Sequence, residues 1–380
     1  MKIAFVYDRV NKWGGAERVL LALHDIWPDA PLFTAVYHPG KAAWARVFPA
    51  VVPTFLEHAP FSRSHHELYP WATPLAFETF VFDGFDAVIS VTSAEAKNII
   101  TKPQTLHICY CLTPTRYLWG EHAVYAAGSR WLEALAPTLR RWDRYASQRP
   151  DYYIAISHRV AERIKRYYHR EVSEVIYPPV EMPASTRQRF NASAQKPSTQ
   201  GRKDALTHDY FLVVSRLVPY KRVDLIIEVF NKLGWRLVII GDGTDGRKLQ
   251  RKARGNIQFI TRHLTDKELV GYYQGCRACV FAADEDFGIA AVEAQASGIP
   301  VIAYRKSGIA EIVKEGETGV LFDEQSVPSL TSALVRFQEE VYEPRMCQTN
   351  AMRFGIGRFQ KEMKETVDSL YSDYIRHKII

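Results

Sequence analysis

Glu285 and Glu293 stand eight residues apart in the run Asp284-Glu285-Asp286-Phe287-Gly288-Ile289-Ala290-Ala291-Val292-Glu293-Ala294. The apolar run at 278–282 reads as a buried strand, and 290–297 reads as a helix ended by Gly298. One carboxylate therefore falls on a loop and the other on a helix, with a glycine where the helix begins. Amide N–H groups at a helix start bind anions. Glu293 lies about 7 Å further along at about 1.5 Å per residue. That span suits a sugar at one end, a diphosphate in the middle and a ribose at the other. The competing reading is a strand–loop–helix unit whose carboxylates are solvated or cap the helix, and a short motif alone does not separate the two.

The elements around this motif narrow the choice. Residues 211–214 read as a strand, followed by Ser215-Arg216-Leu217-Val218-Pro219-Tyr220-Lys221-Arg222 and a helical pattern over 223–233. Arg216 and Lys221 thus sit on a loop at a strand's carboxyl end, where open parallel sheets place ligands. Arginine offers phosphate oxygens a fork of donors, and lysine offers a point charge. A strand at 236–240, Gly241-Asp242-Gly243, and strands near 257–260 and 278–282 come next. Pro300-Val301-Ile302-Ala303-Tyr304, Ser307-Gly308-Ile309-Ala310-Glu311 and the stretch 316–322 complete the series. Strands alternating with helices at this spacing mean βαβ units and an α/β fold. The chain begins the same way: a short strand at 2–7, then Asp8 to Arg18 turning through Gly14-Gly15 into a helix that runs to about residue 27.

In this order the segments resemble the retaining glycosyltransferases of family 4. The Glu285…Glu293 pair is similar to that family's paired-glutamate motif, and Arg216 with Lys221 to its phosphate-binding pair. The likeness covers nearly the whole chain. It is greatest to bacterial mannosyltransferases that assemble O-antigen and other surface polysaccharides, in segments 107–119, Val175-Ile176-Tyr177-Pro178-Pro179-Val180 and 218–224. The resemblance implies the GT-B architecture: two Rossmann-like βαβ domains facing across a cleft, with a C-terminal helix crossing back to the first. It implies catalytic roles for Glu285, Arg216 and Lys221. It also implies a donor site of Gly14, Gly15, Arg216, Lys221, Asp286, Phe287, Gly288, Ile289 and Glu293. Within that site Glu285 and the main-chain N–H groups of Phe287, Gly288 and Ile289 would hold the sugar, and Glu293 the ribose hydroxyls. Gly14-Gly15 would approach the diphosphate from the other domain.

The implied reaction moves a hexose, mannose above all, from a GDP-linked donor to a polyprenyl-diphosphate-linked saccharide, with retention of configuration. Charge growing on the leaving diphosphate would meet preorganised cations and amide dipoles. No cofactor and no metal are expected, although Asp284-Glu285-Asp286 superficially resembles a manganese-binding cluster. One departure stands out: the family commonly carries a histidine by the donor sugar where this chain has Leu112. Leucine makes no hydrogen bond, so Leu112 either packs or marks a 6-deoxyhexose donor. A transferase with a UDP-linked donor fits the same motifs, and so does a catalytically inactive nucleotide-sugar-binding scaffold, since fold alone does not fix function. A nicotinamide enzyme would need Gly-x-Gly-x-x-Gly after the first strand, and Trp13-Gly14-Gly15-Ala16-Glu17-Arg18 lacks that spacing.

Length and composition fit this reading. At 380 residues the chain exceeds what one hydrophobic core usually covers. The expected division is 1–181 for an acceptor-side domain, 182–208 for a polar linker or flexible loop, 209–358 for the nucleotide-sugar domain and 359–380 for the returning helix. No stretch approaches the about 20 apolar residues of a membrane span, and residues 2–7 are too short for a signal-peptide core. A cytoplasmic protein, peripheral on the cytosolic face of the inner membrane, is expected. The five cysteines read as buried thiols, since Cys276 and Cys279 lack a second pair to complete a zinc site. The net charge of +7 gathers at 140–145 and 159–170 among aromatic residues. These clusters are either solvated helix faces or a contact with an anionic membrane surface. No nucleic-acid module accompanies them. The aromatic stretch 61–85 either packs in the core or covers a lipid-linked acceptor.

Overall fold

The computed structural model describes residues 1–63, 69, 71–120, 130–182 and 209–378. The residues expected to form the linker lie outside these from 183 onward. The chain divides into two compact units, Met1–Pro179 with Ile356–Ile380, and Val180–Gly355.

Unit 1 is built on β1 (Ile3–Tyr7), β2 (Leu32–Thr34), β3 (Val51–Pro53), β4 (Ala87–Thr92), β5 (Leu106–Cys111), β6 (Tyr152–Ala155) and β7 (Glu174–Val175). These strands form one sheet in the order β3-β2-β1-β4-β5-β6-β7, every neighbouring pair parallel. β1, β4 and β5 are buried along their whole length, as parallel strands covered on both faces must be. Its helices are α1 (Gly15–Ile26), α2 (Ala72–Glu78), α3 (Arg130–Ala146) and α4 (His158–Tyr168). Phe33 on β2 gathers the rings of Phe80 and Phe82 at 5.0 and 5.1 Å, and Phe77 and Phe82 are buried. That part of the aromatic stretch is core.

A buried ion pair joins three segments of unit 1. Lys97 follows β4 and is 1% exposed; Asp143 on α3 is 6% exposed. The Lys97 ammonium donates to Asp143 Oδ1 at 2.6 Å, to Ala94 O at 2.6 Å and to Thr115 Oγ1 at 3.0 Å. Asp143 also accepts from Thr115 Oγ1 and from Trp119 Nε1, each at 2.7 Å. Burial works against the ammonium, but Asp143 offsets it and holds the lysine above its usual pKa.

Unit 2 repeats the plan with β8 (Phe211–Val214), β9 (Leu237–Ile240), β10 (Ile257–Ile260), β11 (Cys279–Phe281), β12 (Val301–Tyr304) and β13 (Gly319–Phe322). The order is β10-β9-β8-β11-β12-β13, again parallel. Its helices are α5 (Val223–Leu233), α6 (Gly246–Lys252), α7 (Asp266–Gly275), α8 (Ile289–Ala296), α9 (Val327–Glu339) and α10 (Pro344–Ala351). Local chemistry sets their ends. Gly234 closes α5 in the left-handed conformation, which glycine takes without a Cβ penalty. Thr265 and Glu268 form a reciprocal capping box at the start of α7. Phe211 stacks on Trp235 at 5.7 Å and 12° and meets Phe337 edge-on at 5.9 Å. Each sheet is a doubly wound, Rossmann-like unit whose strand order reverses beside its first strand.

The last helix, α11 (Ile356–Lys378), belongs to unit 1. It buries Phe359, Met363 and Val367, and the Phe359 ring lies 5.8 Å from that of Tyr110 on β5. The apolar pattern predicts its start at 359, but the helix begins three residues earlier. Periodicity marks where a helix becomes buried, not where it begins. Where the chain leaves and re-enters unit 1, Val180 N donates to Phe354 O at 2.9 Å.

Candidate functional site

The reversal of strand order in unit 2 falls between β8 and β11, and the loops leaving those two strands carry Arg216, Lys221 and Glu285. After β8 the chain enters a short turn, Pro219–Lys221, with proline at its first position, where a fixed φ and a missing N–H cost nothing. Arg222 follows in the left-handed region at φ 51°, which non-glycine residues rarely adopt. It swings the chain straight into α5. Lys221 is thereby fixed between a hydrogen-bonded turn and a helix start. The loop is braced from the β9 side as well: Leu217 N donates to Asp242 O, and Asp245 N to Leu217 O, both at 2.9 Å.

The loop after β11 is held by close backbone approach. Gly308 N donates to Glu285 O at 2.7 Å, and a Cβ on Gly308 would stand 2.3 Å from Asp286 O. Gly288 caps α8 at φ 106°, and a Cβ there would meet Ile309 Cγ1 at 2.4 Å. Only glycine fits such approaches. The Phe287 side chain is buried against Phe354, 5.4 Å between ring centroids. Its ring is an anchor that fixes the loop.

These two loops meet. The Lys221 ammonium pairs with Glu285 Oε1, with the two side chains 13% and 16% exposed. Arg216 is exposed and donates to Tyr220 Oη at 2.6 Å, while the Lys221 ammonium lies 5.0 Å from the Tyr220 ring centroid. Arg216, Tyr220, Lys221 and Glu285 thus form one connected line. Glu293 lies one turn into α8 and accepts a hydrogen bond from Tyr273 Oη at 3.3 Å. Burial, and then the Glu293 charge, push the Tyr273 hydroxyl well above its usual pKa, so it stays a donor. Two cations, a helix start without a side-chain cap and two carboxylates can bind a diphosphate flanked by hydroxyl-bearing rings.

Gly14 and Gly15 lie in unit 1, Gly14 capping α1 and Gly15 opening it. Gly14 is extended, so its value is space: a Cβ would stand 3.1 Å from Glu17 Oε2. Glu17 is buried beneath the turn and accepts from Tyr7 Oη at 2.7 Å. Burial raises the pKa of its carboxyl group. Asp8 ties the end of β1 to that of β4, accepting from Thr92 Oγ1, Ser93 N and Ala96 N at 2.7 to 2.9 Å. Leu112 follows β5 directly, half-buried, its N–H donating to Thr92 O at 2.8 Å.

Sequence pattern does not single out Tyr273, Gly308 or Ile309 as supports of the loops that carry Lys221 and Glu285, or Glu17 as the support of the Gly14-Gly15 turn. The Ser307-Gly308 step is the one signal that points to a close approach; a buried tyrosine on α7 leaves none. All five cysteines are buried thiols. Among the described residues no group of three or more His, Cys, Asp and Glu side chains is placed to hold a metal ion. No described helix is long and apolar enough to cross a membrane.

Residues 198–354 match the family model described as glycosyl transferases group 1. D-inositol 3-phosphate glycosyltransferase of Corynebacterium urealyticum is 42% identical over 160 residues, 38% of this chain and 38% of that protein. The GDP-mannose-dependent alpha-(1-6)-phosphatidylinositol monomannoside mannosyltransferase of Mycolicibacterium smegmatis is 34% identical over 138 residues, 32% of this chain and 36% of that protein. Across the curated relatives compared, the chain spans 15% to 39% of the relative's length. The crystal structure of Anabaena HepE in complex with UDP has a TM-score of 0.67 at 16% identity, covering 97% of this chain and 100% of that one. That likeness shows the fold, the GT-B fold of glycosyltransferases. The family match supports a glycosyltransferase of group 1 type.

Proposed function

We propose that the protein is a retaining, metal-independent glycosyltransferase that moves mannose from GDP-mannose to a polyprenyl-diphosphate-linked saccharide during assembly of a bacterial surface polysaccharide such as O-antigen. The observation that carries this reading is the Lys221–Glu285 pair at the β8/β11 crevice, with Glu293 one turn along α8. In this reading the donor diphosphate lies over the start of α8 and draws Lys221 and Arg216 to its oxygens. Glu285, released from Lys221, turns to the sugar hydroxyls. Negative charge grows on the diphosphate as the glycosidic bond breaks, and fixed cations and amide dipoles stabilise it. The acceptor hydroxyl attacks from the same face and the leaving phosphate takes its proton, so no covalent nucleophile is needed.

The M. smegmatis relative is GDP-mannose-dependent by name, which supports the guanine nucleotide. The UDP complex of HepE favours a second reading with a UDP-linked donor. Thermal shifts with GDP, UDP and ADP decide between them. GDP is expected to stabilise most, by about 2.7 kcal/mol at one hundred times its Kd. Glu293→Ala is expected to remove most of that shift, since a carboxylate accepts two hydrogen bonds from the ribose diol. A larger shift with UDP would overturn the donor assignment.

The excess of basic residues on α3 and α4 supports peripheral work at the cytosolic face of the inner membrane. Co-sedimentation with phosphatidylglycerol vesicles is expected to fall as salt rises, because exposed charges are screened over about 10 Å at 0.1 M. Binding indifferent to both lipid charge and salt would remove the membrane from the proposal.

A further inference from the structure

Beside α3 in unit 1 lies a hollow of about 510 Å³, lined by Trp119, Pro137, Arg140, Arg141, Arg144 and Tyr145. The last five fall at i, i+3, i+4, i+7 and i+8 of one helix and so share a face. Ala136, Leu139, Asp143 and Ala146 are buried on the face that turns into the unit. Trp119 closes the hollow from the segment that leaves β5. Its ring stacks on Tyr167 at 5.2 Å and 21°, and the hydrogen bond to Asp143 fixes its indole N–H.

The arginines are oriented by this wall. The guanidinium carbons of Arg140 and Arg144 lie 5.8 and 5.3 Å from the Trp119 ring centroid. Arg140 Nε donates to Leu118 O at 2.6 Å, and Arg144 Nε to Tyr167 O at 3.3 Å. The ε nitrogens are spent on backbone carbonyls, and the terminal nitrogens are left for something else. Among the described residues no carboxylate pairs with Arg140, Arg141 or Arg144. Asp143, in their midst, faces inward and belongs to Lys97. Three uncompensated guanidiniums within two helical turns repel one another, and an anion with several oxygens relieves that repulsion while filling the planar forks. The indole and the Tyr145 ring, 69% exposed, offer apolar contact to whatever is attached to the anion.

We propose that this hollow binds the diphosphate of the acceptor, a diphosphate that joins a saccharide to an apolar chain. This rests on the reading of the protein as a transferase with a lipid-linked acceptor and gives that acceptor a place. The segment holding Leu118 and Trp119 leaves the carboxyl end of β5, and Gly14-Gly15 leaves the same edge of this parallel sheet from β1. One hollow cannot hold a whole leaflet; it holds one headgroup, and the choice of a diphosphate over a single phosphate follows from three forks rather than one.

The test is calorimetric titration of the full chain with geranyl diphosphate, a water-soluble probe that has the diphosphate and an apolar group. Arg141→Gln with Arg144→Gln is expected to weaken binding by about tenfold or more, since charge-assisted hydrogen bonds are lost. Both side chains are exposed, so the thermal midpoint and the GDP shift should stay as in the parent. Arg216→Ala with Lys221→Ala is expected to change geranyl diphosphate affinity by no more than about twofold, as these residues belong to the other unit and share no partner with the arginines of the hollow. Geraniol, which lacks the diphosphate, should give no heat.

Loss of binding in the Arg216/Lys221 variant but not in the Arg141/Arg144 variant would overturn the proposal, because the probe would then be sitting in the donor site. So would a variant that loses phosphatidylglycerol vesicles while geranyl diphosphate never binds, which would make this face a leaflet contact. The two readings fail separately. Binding that depends on Arg141 and Arg144, with no nucleotide sugar turned over, would sink the transferase and leave the hollow. Transfer to diphosphate-free acceptors, untouched by the arginine pair, would do the reverse.

Discussion

Lys221→Ala is expected to lower kcat by about a hundred- to a thousandfold, the cost of removing one preorganised donor from a developing anion. Glu285→Ala should do comparable harm to turnover with less effect on nucleotide affinity, because sugar contacts orient the reacting carbon. The pairing of Lys221 with Glu285 sharpens the expectation. With both side chains more than four-fifths buried, removing either leaves the other's charge poorly solvated, so each single variant also shifts the loop that carries its partner. A double-mutant cycle on nucleotide binding should therefore be non-additive, with the Lys221→Ala, Glu285→Ala pair less impaired than the sum of the singles. Magnesium or manganese should not rescue Lys221→Ala. Wild-type turnover in Arg216→Ala with Lys221→Ala, measured as nucleoside diphosphate released, would remove the phosphate site from the mechanism.

The largest expected loss of stability is at Lys97. Truncation to alanine deletes three hydrogen bonds at once and strands Asp143, 6% exposed, with only neutral donors. Breaking a buried pair from one side costs about 3–5 kcal/mol, a large share of the about 5–15 kcal/mol that holds a typical domain together. Lys97→Met with Asp143→Asn should cost less than Lys97→Ala alone, since no buried charge is left without its counter-charge. Urea unfolding followed by circular dichroism measures both. A loss below about 1 kcal/mol in Lys97→Ala, the level of an exposed pair, would show that water reaches the cluster.

The fold is legible in the sequence because parallel α/β sheets write themselves locally. A run such as Ile3–Tyr7 or Phe211–Val214 is apolar on both faces, and Gly234 or the Thr265–Glu268 box ends or starts a helix within a few residues. The places of the charged residues on these elements are legible for the same reason: Arg216, Lys221 and Glu285 follow readable strands, and Glu293 stands one turn into a readable helix. Who touches whom across the fold is not legible. The Lys221–Glu285 pair spans 64 residues and the Lys97–Asp143 pair 46. Tyr273 looks like any core tyrosine until the structure sets it beneath Glu293. Gly308 reads as a turn, yet only the backbone of Asp286 lying against it shows why a side chain is barred. The apolar pattern starts the last helix three residues late because Ile356, Gly357 and Arg358 lie outside its buried stripe.

That same helix decides the order in which the protein can take shape as it leaves the ribosome. Unit 2 is continuous in sequence from Val180 to Gly355, so all its strands have emerged before α11 exists. Unit 1 has been waiting since Pro179, with the flank of β5 around Tyr110 still uncovered until Phe359, Met363 and Val367 arrive. At about 5–20 residues per second, the earlier-made half stays open for many seconds while the later-made half closes. Synthesis order and completion order are reversed, and the half awaiting its last helix is the one exposed to chaperones and proteases.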